Sequence, residues 1–232
     1  MERTSVINGS SRLLVVAPHG FDDENTAELT EMIARQLGAS AVINRGWRRS
    51  RDVDPFHDLA NCNNIRHLLE DVVREEFLVP IRRSVARIKM KHEENALMVV
   101  IHGCKDDTRK EAGDELLDIV LGYGAGHPPS HSCRVKTKNR IAYCLQQEGF
   151  GVFEGAAGGL YAGKSKNNLN QFFVRWMPDK KVESIQMEIV HDMRSDQQMV
   201  EMTAEGIVSA LDAFLLMDQE NEDVDGVEIG RV

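Results

Sequence analysis

Leu13-Leu-Val-Val-Ala17-Pro18-His19-Gly20 is a short apolar run closed by a proline, a histidine and a glycine. A run this short with no polar position fits a strand buried on both faces, and Pro-His-Gly marks the turn that ends it. Beyond it, Ala27, Leu29, Ile33, Ala34 and Leu37 recur at helical spacing within Asn25 to Leu37, and Gly38 is a natural stop. Ala39 to Ile43 is again short and apolar. Strand, turn, helix, strand is a βαβ unit, which implies parallel strands.

The same logic extends along the chain. Ala96 to Ile101 is the most apolar run and reads as a central buried strand, also closed by His102-Gly103. Leu116 to Leu121 and Ser184 to Val190 read as further strands, with a short one at Gly151 to Phe153. Helical stretches are expected over Asn63 to Lys91, broken or kinked at Pro80, over Thr137 to Gln147, and over Met199 to Met217. Asn44 to Asn61 and Gly149 to Asn170 read as loops, Met1 to Ser11 as a polar start, and the acidic end from Asp218 as frayed. The expected fold class is α/β, a mostly parallel twisted sheet with helices on both faces. With no repeat and no clear linker, residues 1–232 are expected to form a single domain.

Composition narrows the partners. The formal net charge is −9 and the pI is about 5.4, so bulk attraction to nucleic acid or an anionic membrane is not expected. No apolar run approaches the roughly 20 residues needed to span a bilayer. The start lacks the basic-then-apolar layout of a signal peptide, so the expected location is cytoplasmic. Cys62, Cys104, Cys133 and Cys144 form no CxxC pair and read as free, mostly packed thiols.

The chemistry lies at the two strand ends, His19-Gly and His102-Gly. In an open parallel sheet, ligands bind beyond the carboxyl ends of the strands, so both imidazoles are expected on one functional edge. Glycine after each lets the backbone turn sharply away. Glu24, at the entrance to the first helix, can complete a His19, Glu24, His102 set with one open position, the arrangement of a catalytic zinc site. A helix-entry carboxylate is also expected simply to offset the helix dipole. Glu188 lies inside Ile185-Gln-Met-Glu-Ile189, sharing a face with Gln186. A polar edge-strand face accounts for that, and so does a general base that takes a proton from metal-activated water. Arg45, Arg48, Arg49 and Arg51 make the one dense basic patch, after the second strand, where guanidinium forks can bind a carboxylate or simply face solvent.

Together these residues resemble the N-formylglutamate amidohydrolase family and the phage poly-γ-glutamate hydrolases, which are similar in fold to zinc carboxypeptidases. The resemblance rests on Ala17-Pro-His-Gly with Glu24 and Thr26, on Ile101-His-Gly103, and on Ile185-Gln-Met-Glu-Ile189, and covers roughly Leu13 to Arg194. It implies a zinc-exopeptidase-like fold, Zn2+ held by His19, Glu24 and His102, and Glu188 as catalytic base. The implied activity is hydrolysis of an amide bond in a small anionic substrate, an N-acyl amino acid or a γ-glutamyl peptide. The alternative is a non-catalytic ligand-binding relative. Two departures stand out. The family's Asp-x-Asn-Arg stretch is matched only by Asn61-Cys-Asn63-Asn64: Asn63 fits as a substrate-binding residue, whereas Asn64 replaces the arginine. Arg66 or the Arg45–Arg51 cluster, with Arg49 foremost, would have to compensate. Asp22 and Asp23 also compete with Glu24 for the carboxylate position.

Overall fold

The structure is a computed structural model that describes residues 3–48, 59–92, 95–113, 115–124, 131–155 and 161–220. Its centre is a seven-stranded sheet in the order β1-β3-β2-β4-β7-β5-β6. The strands are β1 (Thr4–Ile7), β2 (Leu13–Ala17), β3 (Ser40–Asn44), β4 (Ala96–Gly103), β5 (Ile119–Gly122), β6 (Val152–Glu154) and β7 (Val182–Ile189). β3, β2, β4 and β7 run parallel, as do β5 and β6, while β1 pairs antiparallel with β3 and β5 antiparallel with β7. The sheet is thus mixed, with a parallel centre.

Alternation along the strands feeds two cores. Leu13, Val15 and Ala17 of β2, with Leu97, Val99 and Ile101 of β4, face α1 (Thr26–Gln36), α6 (Val135–Gln147) and α7 (Gln197–Glu220). Leu14 and Val16, with Met98 and Val100, face the opposite layer, which includes α4 (Val79–Lys91) and the Phe172–Trp176 turn. Both faces are covered, which is why β2 and β4 carry no polar stripe.

Several expectations change. The polar start forms strand β1, whose register places Thr4 opposite Asn44. The stretch from Asn63 to Lys91 is not one helix kinked at Pro80. It divides into α2 (Ile65–Leu68), α3 (Asp71–Val73), a π-helical turn (Arg74–Leu78) and α4, with Pro80 in the first turn of α4. Proline has no N–H to give back to the preceding turn, and the widened turn falls just before it. A short helix, α5 (Thr108–Ala112), follows β4. Asp218 is not frayed: it accepts from Arg12 at 2.6 Å and from Arg140 at 2.7 Å, fastening the end of α7 to the start of β2 and to α6. Finally, β7 is an interior strand buried along its whole length, so an edge-strand face does not explain Glu188.

Candidate metal centre

β2 and β4 are parallel neighbours, so their carboxyl ends open on the same edge of the sheet. His102 is the penultimate residue of β4, and His19 lies two residues past β2. Their ring centroids are 5.0 Å apart. After His19 the chain turns helically: Asp22 N and Asp23 N both donate to His19 O, at 2.8 and 2.7 Å. That turn stacks residue 23 over residue 19. Asp23 Oδ2 thereby comes within 3.5 Å of His19 Nδ1 and 3.8 Å of His102 Nδ1. The ligand atoms of His19, Asp23 and His102 all lie within 4.8 Å of one another, and all three residues are buried.

Glu24, the sequence-level choice for the carboxylate, is not in this cluster. One residue further on is about 100° further round a helical turn. Its side chain is 63% exposed, against 5% for Asp23, and it bonds His191 Nε2 at 3.1 Å. The structure therefore brings together His19 and His102 with Asp23.

Electrostatics suit the role. Burial alone would raise the Asp23 pKa, but hydrogen bonding to His102 and His19, with their charge, outweighs it and holds the carboxyl well below the usual range. His19 Nε2 donates to Asn61 Oδ1 at 2.9 Å, and that oxygen also accepts from Asn63 N at 3.0 Å. With Nε2 so engaged, Nδ1 is the ring nitrogen that His19 presents toward Asp23 and His102. Asp23 Oδ2 itself accepts from Gly103 N at 3.2 Å.

Neither histidine-following glycine is in the left-handed region. Close approach explains them instead. A Cβ on Gly20 would meet Asn44 O at 2.6 Å, and one on Gly103 would meet Arg194 Cζ at 2.4 Å. Asn44 and Arg194 carry no signal in the sequence that reasoning by motif could have used. Asn44 Nδ2 donates to Pro18 O at 2.9 Å, bracing the turn before His19. Buried Arg194 donates to Glu24 O, Ile189 O and Cys104 O at 2.5, 3.2 and 3.0 Å, tying the His19 turn to the ends of β7 and β4.

Glu188 and His102 are Cα partners on adjacent parallel strands. Partnered residues present side chains to the same face of a sheet. Glu188 is 8% exposed and accepts from Gln186 Nε2 at 3.1 Å.

The remaining sequence candidates separate. Arg45 is bound by Glu28 at 2.7 Å and Glu31 at 2.6 Å, on α1. Arg48 lies over the Phe21 ring at 4.3 Å and reaches Asp22 at 3.4 Å, and its carbonyl accepts from Ala60 N. It thus stands between the His19 turn and the segment carrying Asn61. Arg49 and Arg51 lie outside the described residues. Asn63 O accepts from Leu169 N at 3.0 Å. Asn64 caps α2, its side chain accepting from Arg66 N. A second group of possible ligands, Asp106, His191 and Asp192, is partly to fully exposed, and Arg109 already pairs with Asp192 at 2.5 Å.

No protein-family model matches the chain, and no curated protein matches its sequence. Solved structures do match in fold. N-formylglutamate amidohydrolase from Ralstonia eutropha JMP134 superposes with a TM-score of 0.61 at 13% identity, covering 95% of this chain and 100% of that one. A gene product from Agrobacterium tumefaciens gives 0.61 at 10% identity, covering 94% and 97%. Bacteriophage poly-gamma-glutamate hydrolase gives 0.54 at 17% identity, covering 92% and 89%. At such identities the likeness shows a shared fold. Among the described residues, no helix is long and apolar enough to cross a membrane.

Proposed function

We propose that this protein is a zinc-dependent hydrolase of an amide bond in a small anionic substrate, an N-acyl amino acid or a γ-glutamyl peptide. The observation that carries the reading is the register of β4 on β7, which sets Glu188 beside His102 at the same sheet edge as His19 and Asp23. The donor set fits zinc. Bonds of about 2.0–2.1 Å in a tetrahedral site put ligand atoms roughly 3.3 Å apart. The 3.5 and 3.8 Å separations of Asp23 Oδ2 from the two Nδ1 atoms need only small closure. Two histidines and one carboxylate leave one position open.

When bound, the ion supplies Lewis-acid chemistry, easing deprotonation of water and polarising a carbonyl. Glu188 accepts the proton from the attacking water and delivers it to the leaving amine. Asn61 holds His19 in the tautomer that offers Nδ1 to the ion, with Asp23 as the third ligand. Arg48, whose guanidinium lies over Phe21, is our choice for the substrate carboxylate, with Asn63 as a second substrate-binding residue.

The test is Glu188→Gln, assayed on N-formyl and other N-acyl amino acids and on γ-glutamyl peptides. The variant should bind zinc as the parent does and lose about 10²–10⁴-fold in rate, the usual share of a general base. Full activity, or loss of zinc, would each show that the role is misassigned. The non-catalytic reading draws on Asn64, which caps a helix where the resemblance implies an arginine. It becomes the better one if parent and variant both bind zinc and neither turns over any of these substrates.

A further inference from the structure

Gln186 lies two residues before Glu188 on β7 and presents to the same face. It is 2% exposed, in an interior strand. A primary amide so placed is costly unless its hydrogen-bonding groups are satisfied. They are: Nε2 donates to Tyr161 O at 2.8 Å and to Glu188 Oε1 at 3.1 Å, and Oε1 accepts from Asn168 Nδ2 at 3.2 Å. An amide has two N–H donors, and both are used on acceptors. Turning the group over would aim its oxygen at a carbonyl and a carboxylate, so its orientation is set.

Room for this amide is reserved. A Cβ on Gly122 would come within 2.6 Å of Gln186 Cγ, and one on Gly163 within 3.3 Å of Gln186 Oε1. At the other end of the bond, Tyr161 has φ 66°, a left-handed conformation that is costly for a residue with a Cβ. Such a conformation persists where surrounding contacts over-determine it. The Tyr161 carbonyl is fixed by Gln186, and the next carbonyl, Ala162 O, accepts from Gly124 N at 2.6 Å. The Tyr161 side chain packs against the small cluster of Cys104, Leu117, Val120 and Val190, and Val120 is the strand partner of Glu188 on its other side.

The bonds continue to the metal centre. Asn168 Oδ1 accepts from Asn170 N at 2.8 Å, Leu169 N donates to Asn63 O at 3.0 Å, and Asn63 N donates to the Asn61 oxygen that holds His19. Hydrogen bonds joined by short lengths of backbone therefore connect Glu188 through Gln186, Asn168, Leu169, Asn63 and Asn61 to His19.

We propose that Gln186 is a positioning residue: it orients the Glu188 carboxylate and fastens the 161–168 segment to it, so that the segment and the proton acceptor move as one unit. The proposal rests on the reading of Glu188 as proton acceptor, and its test separates the two. In zinc-loaded full-length protein, Gln186→Met keeps the size and removes every polar contact. Amide hydrogen exchange in peptides covering 161–171 should accelerate by about ten-fold, the scale of one lost net hydrogen bond, with peptides from β2 unchanged. Unchanged exchange in 161–171 overturns the proposal whether or not any substrate has been found. If Gln186→Met does not fold, Gln186→Glu serves instead, since it keeps the shape and removes at least one of the two donors. Where the parent turns over an acylated or γ-glutamyl substrate, Gln186→Met should lower kcat by about ten-fold with KM nearly constant. In the Glu188→Gln background it should cost nothing more, because it acts through that carboxylate. Equal losses in both backgrounds overturn it. A parent inactive on every substrate counts against the hydrolase reading, while the exchange result still decides the role of Gln186.

Discussion

His19 Nδ1 and Asp23 Oδ2 stand 3.5 Å apart because the two residues lie four apart on a single helical turn. Asp23, not Glu24, is therefore the carboxylate that faces both imidazoles. Asp23→Asn should abolish stoichiometric zinc binding, while Glu24→Gln, altering a side chain that bonds His191 at the surface, should leave it intact. Metal content of the two purified variants decides the matter. Zinc lost from Glu24→Gln and kept by Asp23→Asn would reverse the assignment.

Asn61 acts on the metal through His19. Removing its oxygen frees the imidazole to rotate and to change tautomer. Asn61→Ala should weaken zinc binding by about 10–100-fold, the usual cost of losing such a partner. Asn61→Asp keeps an acceptor at the same place and should hold zinc at least as well as the parent. Competition with a chelating dye measures both, and equal affinity in parent and Asn61→Ala would show that His19 is positioned by other contacts.

The Arg12–Asp218–Arg140 clamp should matter to stability far more than its place near the chain's end suggests. Asp218 faces two guanidinium groups whose side chains are 4% and 9% exposed. Asp218→Asn leaves both without their carboxylate, and breaking a buried pair by removing one partner costs about 3 kcal/mol or more. Denaturant unfolding of the variant should show this loss. A change below roughly 1 kcal/mol, the worth of an exposed pair, would mean that the clamp is open in solution.

All four cysteines are free and buried. Burial pushes the Cys104 thiol up to about 11, with the Glu188 charge adding to it, and burial raises Cys62, Cys133 and Cys144 as well. A raised thiol pKa means less thiolate at any given pH, and thiolate is the reactive form. Native protein at neutral pH should therefore react with a disulfide reagent only slowly. Cys104 should gain reactivity as the pH approaches its raised value, and unfolded protein should react at all four. Rapid labelling of native protein near neutrality would contradict the burial.

Fold and site were legible to different depths. The apolar runs at Leu13 and Ala96 announced buried parallel strands because both faces of each strand lie under helices. The edge strand β1 was hidden because only Thr4 of its four residues is buried and its apolar pair Val6-Ile7 is too short a run to stand out in a polar stretch. Glu188 looked odd in a strand, but only the sheet order shows it to be interior and beside His102.

The sequence by itself determined the parallel centre of the sheet and the two strand-end histidines, since both are written in local patterns a few residues long. Only the tertiary structure decided which carboxylate joins them, because Asp22, Asp23 and Glu24 differ by a rotation of the turn rather than by chemistry. It alone assigned Arg45 to Glu28 and Glu31 and left Arg48 beside Phe21. It alone gave Asn44, Arg194 and Gln186 their roles, through bonds to Pro18, Glu24 and Tyr161 elsewhere in the chain. Arg194, for instance, reaches a carbonyl 170 positions away in sequence. Contacts of that kind depend on how helices and strands pack in space, which no short window of residues encodes.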